Sequence, residues 1–286
     1  MKAKLECIPC MFNQAYRAAK SATNDAKLIR KILNDAGKFV ERINLSLTPP
    51  EAAMPMYKLV EENTRNFDPY SKVKDEHIKT ALNLYPRMQM KVKSANDSLK
   101  EAVKISIVGN AIDLGSTLEQ IDIIKEFDEI EKARFVLEDF EFFREKLSKT
   151  EQVLFLSDNA GETVFDRPLI EELRKYGKRV LYAVKEHPII NDATREDAVK
   201  SGIDCKIIST GSSIAGTVLS SCSQEFKSIF SRASFIIAKG QGNYETLSNE
   251  QAPIFFLFKV KCNPISKDTG LPKGSMVLLK SKNFTV

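Results

Sequence analysis

Two adjacent oxygen-bearing side chains, Asp158 and Asn159, come directly after the apolar run 153–156. A run of this length is typical of a strand that is buried on both faces, and ligands of open α/β sheets bind where such strands end. Further along the chain a second strand-like run, 180–184, leads into a loop that contains Asp192. Hard divalent cations prefer carboxylate and amide oxygens as ligands. The sequence therefore predicts that Asp158, Asn159 and Asp192 bind one divalent metal.

Each of these three side chains also has a purely structural interpretation. Asp and Asn commonly shape turns, and Asp192 precedes a helical pattern that begins near Thr194, where it could act as a cap. Their occurrence at the ends of two successive strands favours the metal site over a coincidence of turns.

The elements that must position these residues are predicted from hydrophobic periodicity. Residues 1–100 have helical spacing without a convincing strand, and we expect them to form an all-α helical bundle domain. Residues 101–286 alternate strand-like and helical segments, which predicts a three-layer α/β/α domain with a mostly parallel sheet. Asp166 followed by Pro168 is typical of a helix N-cap and first turn. The predicted strands are 105–108, 153–156, 180–184, 205–208, 235–238, 254–260 and, as a late edge strand, 276–279.

Polar residues also follow the other predicted strands. Serine and glycine turns at 209–212 and 240–243 can present backbone N–H groups to an anion at a helix start, and Lys259 could bind a phosphate. Neither turn has the residues of a nucleotide-binding loop, because Thr217 and Val218 replace the Lys and Ser/Thr of a P-loop and the Gly240 turn lacks a third glycine. The candidate substrate-binding residues at these strand ends are Asn110, Asp113, Glu162, Lys185, Ser212, Asn243 and Lys259.

Composition excludes several classes of protein. The 286 residues are 43% apolar and 28% charged, as in ordinary globular proteins, and no apolar run is long enough to span a membrane. The start lacks the apolar stretch of a signal peptide, so we expect a cytoplasmic protein without a membrane association. The net charge of +5 comes from interspersed charges rather than a basic stripe, which disfavours nucleic acid as a partner. Composition leaves the oligomeric state open.

The cysteines and histidines limit the possible chemistry. Five cysteines favour free thiols or a metal site over disulfides. Cys7 and Cys10 have metal-ligand spacing but supply only two of the four ligands of a structural zinc, a set that Cys262 could join. Because His77 and His187 are the only histidines, a Ser-His-Asp triad is not expected, and metal-activated water is the better nucleophile.

Six motifs lie along the chain. They are Cys7-Ile-Pro-Cys10, Gly109-Asn-Ala-Ile-Asp113, Ser157-Asp-Asn-Ala-Gly-Glu162, Lys185 with Pro188-Ile-Ile-Asn-Asp-Ala-Thr194, Lys239-Gly-Gln-Gly-Asn-Tyr-Glu245 and Lys259-Val-Lys-Cys262. Together they resemble one family, the metal-dependent damage-control phosphatases, long catalogued as a domain of unknown function. The resemblance extends over nearly the whole chain and is to the compact prokaryotic branch with an amino-terminal Cys pair.

The resemblance implies specific roles. Asp158, Asn159 and Asp192 match the residues that bind a divalent metal in that family, typically manganese, cobalt or nickel, with magnesium also possible. The implied substrate is a small phosphorylated metabolite: a sugar phosphate, phosphopantetheine or a damaged relative. Gln241 stands where the sugar-phosphate branch usually carries Asp, so the resemblance does not fix the substrate. The residues that it places in the substrate pocket are Asn110, Asp113, Glu162, Asn243 and Lys259.

The sequence thus predicts a metal-dependent phosphomonoesterase in which Asp158 and Asp192 are catalytic. A covalent aspartyl-phosphate is disfavoured, because Ala160 occupies the second position of the Asp-x-Asp motif that such phosphatases use. Two alternatives stay open: a carboxyl methyltransferase and a non-catalytic protein that binds a phosphorylated metabolite.

Overall fold

The described part of the chain comprises residues 1–111, 127 and 135–284 of a computed structural model, and it begins with helices. Helices α1 (Cys7–Ala22), α2 (Ala26–Val40) and α3 (Pro49–Thr64) pack on one another, and we call them the helical region. Asp25 caps α2 by accepting from two backbone N–H groups, and Thr48 and Glu51 form a capping box on α3. Two further helices follow, α4 (Ser71–Ser94) and α5 (Ser98–Ala111).

The rest of the described chain alternates strands and helices. The strands are β1 (Phe135–Val136), β2 (Gln152–Leu156), β3 (Arg179–Val184), β4 (Lys206–Ser209), β5 (Ile236–Lys239), β6 (Ile254–Lys259) and β7 (Met276–Lys280). The helices between them are α6 (Phe140–Ser148), α7 (Glu162–Lys175), α8 (Arg195–Lys200), α9 (Gln224–Arg232), α10 (Gly240–Leu247) and α11 (Asn263–Thr269), with a 3-10 turn at Leu219–Ser221.

The seven strands form one sheet in the order β1-β7-β6-β5-β2-β3-β4. Strands β6, β5, β2, β3 and β4 are parallel, and β7 runs antiparallel to β6. Alternate residues of the central strands enter two separate cores, one beneath α4 to α7 and the other beneath α9 to α11. The predicted three-layer α/β/α fold with a mostly parallel sheet, preceded by helices, is confirmed.

One predicted strand is wrong. Residues 105–108 lie inside helix α5, which packs between α7, α4 and strand β6. Ile105, Ile107 and Val108 are almost completely buried on different sides of this helix. A helix that is covered on most sides shows a continuous apolar run, and such a run cannot be distinguished from a buried strand by periodicity.

The predicted N-cap at Asp166 is also wrong. Helix α7 begins four residues earlier, at Glu162, and contains Pro168 in its interior. Asp166 is fully buried and binds other side chains in the middle of the molecule. The acidic residue before the proline therefore belongs to a buried ion pair and does not mark the start of a helix.

The predicted division into domains at residues 1–100 and 101–286 stays a prediction. Helices α4 and α5 contribute Ile78, Leu84, Met88 and Val103 to the core that lies on one face of the sheet.

No helix within the described residues is long and apolar enough to span a membrane.

Candidate active site at the carboxyl edge of the sheet

The predicted metal ligands lie at the point where the order of the strands changes direction. From β2 the chain passes to β3 and β4 on one side, whereas β5 pairs with β2 on the other side. In open α/β sheets the loops at such a switch point diverge and leave a crevice. Asp158 and Asn159 follow β2, the loop with Asp192 follows β3, and Gly240 begins α10 directly after β5.

Asp192 lies beside the Asp158–Asn159 pair, as the sequence predicted. Asn159 and Asp192 form an isolated antiparallel bridge. The backbone N–H of Ala193 donates to the carbonyl of Asp158 at 2.8 Å, and that of Ala160 donates to the carbonyl of Asn191 at 2.8 Å. Directly opposed residues in such a bridge have Cα atoms about 4.5 to 5.5 Å apart, so the two loops present their side chains to one place.

Hydrogen bonds orient the Asn159 amide. Its Nδ2 donates to Asp158 Oδ2 at 3.1 Å and to Glu162 Oε1 at 2.6 Å. Asn110 Nδ2 donates to the same two oxygens at 2.9 and 2.8 Å. Because both carboxylates bind the NH₂ group of Asn159, its carbonyl oxygen is the amide atom that remains for a cation.

A buried ion cluster supports these contacts from below. Lys239 is completely buried, and its Nζ lies 2.5 Å from Asp166 Oδ1 and 3.4 Å from Glu162 Oε2. Ser106 and Tyr182 each donate to Asp166 at 2.7 Å. Glu162 is thereby held between Lys239 and the two Asn side chains. Sequence reasoning missed the roles of Lys239 and Asp166, although a lysine at the end of the apolar strand β5 signals a buried partner.

Burial changes the acidity of the carboxylates near the crevice. Burial, together with the neighbouring Glu162 and Asp192, raises the pKa of Asp158 well above its usual range. Burial raises the pKa of Asp192 to about 6, and the Lys185 ammonium, 3.5 Å away, opposes that rise. Asp192 Oδ2 is buried and accepts no hydrogen bond from the described residues. A bound cation would satisfy this oxygen and offset the repulsion.

The donor set fits a hard divalent cation. It offers two carboxylates and one amide oxygen and leaves further positions for water and phosphate oxygens, as such ions require. Within the described residues no three His, Cys, Asp or Glu side chains converge on one point as a metal cluster. The candidate ligands are therefore a mixed set, Asp158, Asn159 and Asp192, in which an amide stands in place of a third carboxylate, and their binding of a metal stays a prediction.

A cavity of about 360 Å³ opens in front of these three residues. Its opposite wall comes from the helical region, where Tyr57 Oη donates to Gln14 Oε1 at 2.7 Å. Lys261, in the loop after β6, lies in the same cavity, and its ammonium opposes the rise in the pKa of Asp158. Other lining residues include Cys7, Cys10, Met11, Asn13, Arg17, Ala53, Gln241, Glu245 and Cys262.

Six of the predicted substrate-binding residues lie outside the described wall of this cavity. Asn110, Glu162 and Asn243 are fully buried, and Asn243 Nδ2 donates to the carbonyls of Ser157 and Lys239 at 3.0 and 2.7 Å. Lys185 pairs with Asp192, and Ser212 Oγ lies 2.7 Å from Ser221 Oγ. The backbone N–H of Lys259 donates to Asn110 Oδ1 at 3.0 Å. Asp113 lies outside the described residues. Their contacts with substrate stay predictions.

Three of the five cysteines meet at this cavity. Cys7 and Cys10 start helix α1, and Cys262 follows β6, so the sequence suggestion that Cys262 could join the pair has a spatial basis. All five cysteines are free thiols. Burial raises the pKa of the Cys7, Cys10 and Cys262 thiols, which disfavours the thiolate form.

Comparison with known proteins decides the family. The family model described as the damage-control phosphatase ARMT1-like domain matches residues 3–277. The chain belongs to this family. The family resemblance predicted from the motifs is confirmed, whereas the assignment to a branch with an amino-terminal Cys pair stays a prediction.

Relatives in the damage-control phosphatase family match the chain from end to end. The damage-control phosphatase PH1575 of Pyrococcus horikoshii is 35% identical over 287 residues, covering 99% of each chain. A damage-control phosphatase of Archaeoglobus fulgidus is 32% identical and covers 97% of this chain and 98% of its own. The crystal structure of the Pyrococcus horikoshii protein, described as a DUF89 family protein, superposes with a TM-score of 0.88 over 99% of this chain and all of the other.

Proposed function

We propose that this chain is a divalent-metal-dependent phosphatase that hydrolyses a small phosphorylated metabolite. Membership of the damage-control phosphatase family supports the phosphatase activity. The observation that supports metal dependence is the buried Asp192 Oδ2, beside Asn159 at the carboxyl edge of the sheet. This oxygen accepts no hydrogen bond from the described residues, and the Lys185 ammonium lies 3.5 Å from it. A buried carboxylate oxygen that has an ion pair but no hydrogen bond is incompletely compensated, and a bound cation would complete the compensation.

The side chains of the site have different roles in the proposed hydrolysis. A divalent cation held by Asp158, Asn159 and Asp192 would supply positive charge that polarises a phosphoryl group and acidifies water. Asp158 is the group best placed to orient that water, since it follows strand β2 at the switch point and lies in the cavity wall. Glu162 and Lys239 keep the Asn159 amide in a fixed orientation.

Lys261 is the better candidate for the phosphate-binding cation. Lys259 was the sequence-based choice, but among the described residues Lys261 lies in the wall of the cavity with Asp158 and Asp192, and Lys259 does not. An ammonium group at this position stabilises negative charge on a transferring phosphoryl group. Arg17, on α1, offers a second cation at the same cavity.

The cavity limits the size of the substrate. A volume of about 360 Å³ is at the lower end of the range for small-molecule sites and accommodates a metabolite rather than a phosphoprotein surface. Polar side chains such as Asn13, Gln14 and Gln241 supply hydrogen bonds for the part of the substrate that does not carry the phosphate.

The decisive experiment is a phosphate-release screen with purified protein stripped of metal. Small phosphorylated metabolites are offered with manganese, cobalt, nickel or magnesium added in turn. We expect turnover that requires added metal and falls by orders of magnitude in Asp158→Asn, while Asp204→Asn, a change at an exposed carboxylate, keeps full activity. Turnover without metal would overturn the metal dependence. Metabolite binding without phosphate release would favour the binding protein, and methyl transfer would favour the methyltransferase.

A further inference from the structure

The turn that carries Asp192 has an unusual backbone. The N–H of Asp192 donates to the carbonyl of Ile189 at 3.1 Å and closes a four-residue turn. The second residue of this turn, Ile190, has a φ of +48°. Turns with a positive φ at this position normally use Gly, Asn or Asp, because a β-branched side chain is strained there. The surroundings must therefore hold Ile190 in this conformation.

The Ile190 side chain contacts the helical region. It packs against a cluster of buried residues that we call the Val60 cluster: Ala18, Ala19, Ile32, Val60 and Tyr70. Ile190 also lies in the wall of the cavity that contains Asp158 and Asp192. One side chain thus joins the apolar interior of the helical region to the turn that presents a predicted metal ligand.

The other side of the turn is fixed to the sheet. The carbonyl of Asn191 accepts from Ala160 at 2.8 Å, and Asp192 bridges to Asn159. These contacts, made by the two residues after Ile190, hold the turn against the loop after β2. The contact of Ile190 with the Val60 cluster supplies the support on the opposite side.

We propose that Ile190 is a positioning residue for the metal site, through which the helical region sets the conformation of the Asp192 turn. This inference depends on the proposed function, because it takes Asp192 as a metal ligand. It gives the helical region a role beyond forming one wall of the cavity. Strained residues of this kind are found at functional sites and persist only where surrounding contacts hold them.

The test measures binding of Mn²⁺ to the metal-free protein by calorimetry, together with the free energy of unfolding. We expect Ile190→Ala to weaken Mn²⁺ binding by about tenfold or more, the size of effect seen when a residue that orients a ligand is lost. Ile190→Val, which keeps the β-branch, should bind nearly as the wild type does. Ile190→Asn should also bind weakly, because asparagine adopts the turn but cannot fill the Val60 cluster.

A matched control separates positioning from stability. Ile29 is another partly buried isoleucine that packs on the Val60 cluster, from helix α2. Ile29→Ala should lower the free energy of unfolding as Ile190→Ala does, yet change Mn²⁺ affinity by less than about twofold. Equal losses of affinity in both variants would overturn the inference, as would unchanged affinity in Ile190→Ala. If Ile190→Ala does not fold, Ile190→Asn decides by the same criteria.

The variant Asp192→Asn distinguishes a failure of the inference about Ile190 from a failure of the proposed function. If Asp192→Asn loses Mn²⁺ while the Ile190 variants retain it, only the role of Ile190 is wrong. If Asp192→Asn retains Mn²⁺ with wild-type affinity, the metal site itself is wrong, and the inference falls with it.

Discussion

At the scale of single residues, two lysines separated by one position occupy different environments. Side chains alternate between the faces of a strand, so Lys259 lies on the same face as Phe255 and Leu257, which pack in the core beneath α4 to α7. Strand β6 ends at Lys259, and Lys261 lies beyond it in the cavity. A lysine near the end of the apolar strand was the sequence signal, and the end of the strand determines which of the two lysines lies in the cavity.

We predict that Lys261→Met weakens phosphate binding by about 1.5 to 3 kcal/mol, the value of a hydrogen bond to a charged group. Lys259→Met is the matched control, and it should change phosphate binding by less than about 0.5 kcal/mol. The measurement is competitive inhibition by inorganic phosphate in the two variants. A larger loss in Lys259→Met than in Lys261→Met would restore the original assignment.

Glu245 also lies in the cavity, and its charge should affect the pH dependence of stability. Burial raises its pKa to about 7, and a hydrogen bond from Gln241 at 2.9 Å opposes that rise. A carboxyl whose pKa is higher in the folded than in the unfolded chain stabilises the fold at low pH. This contribution is lost as the pH increases through about 7.

We predict that Glu245→Gln removes this pH dependence. Below the pKa of about 4.3 of an unfolded glutamate, both proteins should have similar free energies of unfolding. At pH 8 the variant should be more stable by on the order of 1 kcal/mol, because glutamine keeps the hydrogen bond without the buried charge. Urea unfolding between pH 4 and pH 8 measures the difference. A difference in the free energy of unfolding that does not grow with increasing pH would contradict the assignment.

At the scale of secondary-structure elements, the approach of helix α10 to the loop after β2 forms the site. Gly240 begins this helix with a φ of +79°, and a Cβ atom built on it would lie 1.9 Å from Asp158 Oδ2. Glycine is required there for two independent reasons, the backbone conformation and the space that Asp158 occupies.

Gly240→Ala should therefore abolish activity by displacing Asp158, in addition to a backbone cost of about 1 to 2 kcal/mol in the free energy of unfolding. Gly177 provides the control, since its φ is +73° and a Cβ there meets nothing within 4 Å. Gly177→Ala should lose a similar amount of stability and retain full phosphatase activity. An active Gly240→Ala would show that the Asp158 carboxylate is not confined as described.

The elements differ in how well the sequence predicted them. Strands β2, β3, β5 and β6 were predicted because short runs of β-branched and aromatic residues between turn residues usually form strands. The proximity of Asp158 and Asp192 followed from the adjacency of successive parallel strands. Helix α5 was mistaken for a strand because burial on most sides removes the helical period.

The remaining features of the site depend on tertiary contacts. The ion pair between Lys239 and Asp166 joins residues 73 positions apart. The sequence around each residue does not indicate that the other is its partner. The turn at Ile190 contradicts local preference, since isoleucine is a poor residue for a positive φ. Both features become visible only when the packing of the helices against the sheet is known.

At the scale of the whole molecule, buried and exposed ion pairs join helix α4 to helix α8, which follows the Asp192 turn. Lys74 is 2% exposed, and its Nζ lies 2.8 Å from Asp68 Oδ2 and 3.1 Å from Asp197 Oδ2. Asp197 also forms the capping box of α8 with Thr194. Lys200 makes a second link, to Asp75 at 2.8 Å, but its side chain is 43% exposed.

We predict that Lys74→Met lowers the free energy of unfolding by about 3 kcal/mol or more, because it leaves the Asp197 charge buried without its cation. Lys200→Met removes an exposed pair between the same two helices, together with an exposed pair to Glu196 within α8. It should cost less than about 1 kcal/mol because water and salt screen exposed pairs. Urea unfolding of the two variants tests the comparison, and raising the ionic strength should reduce the effect of Lys200→Met while leaving that of Lys74→Met nearly unchanged. Equal losses would mean that the buried pair between α4 and α8 contributes no more to stability than a surface pair does.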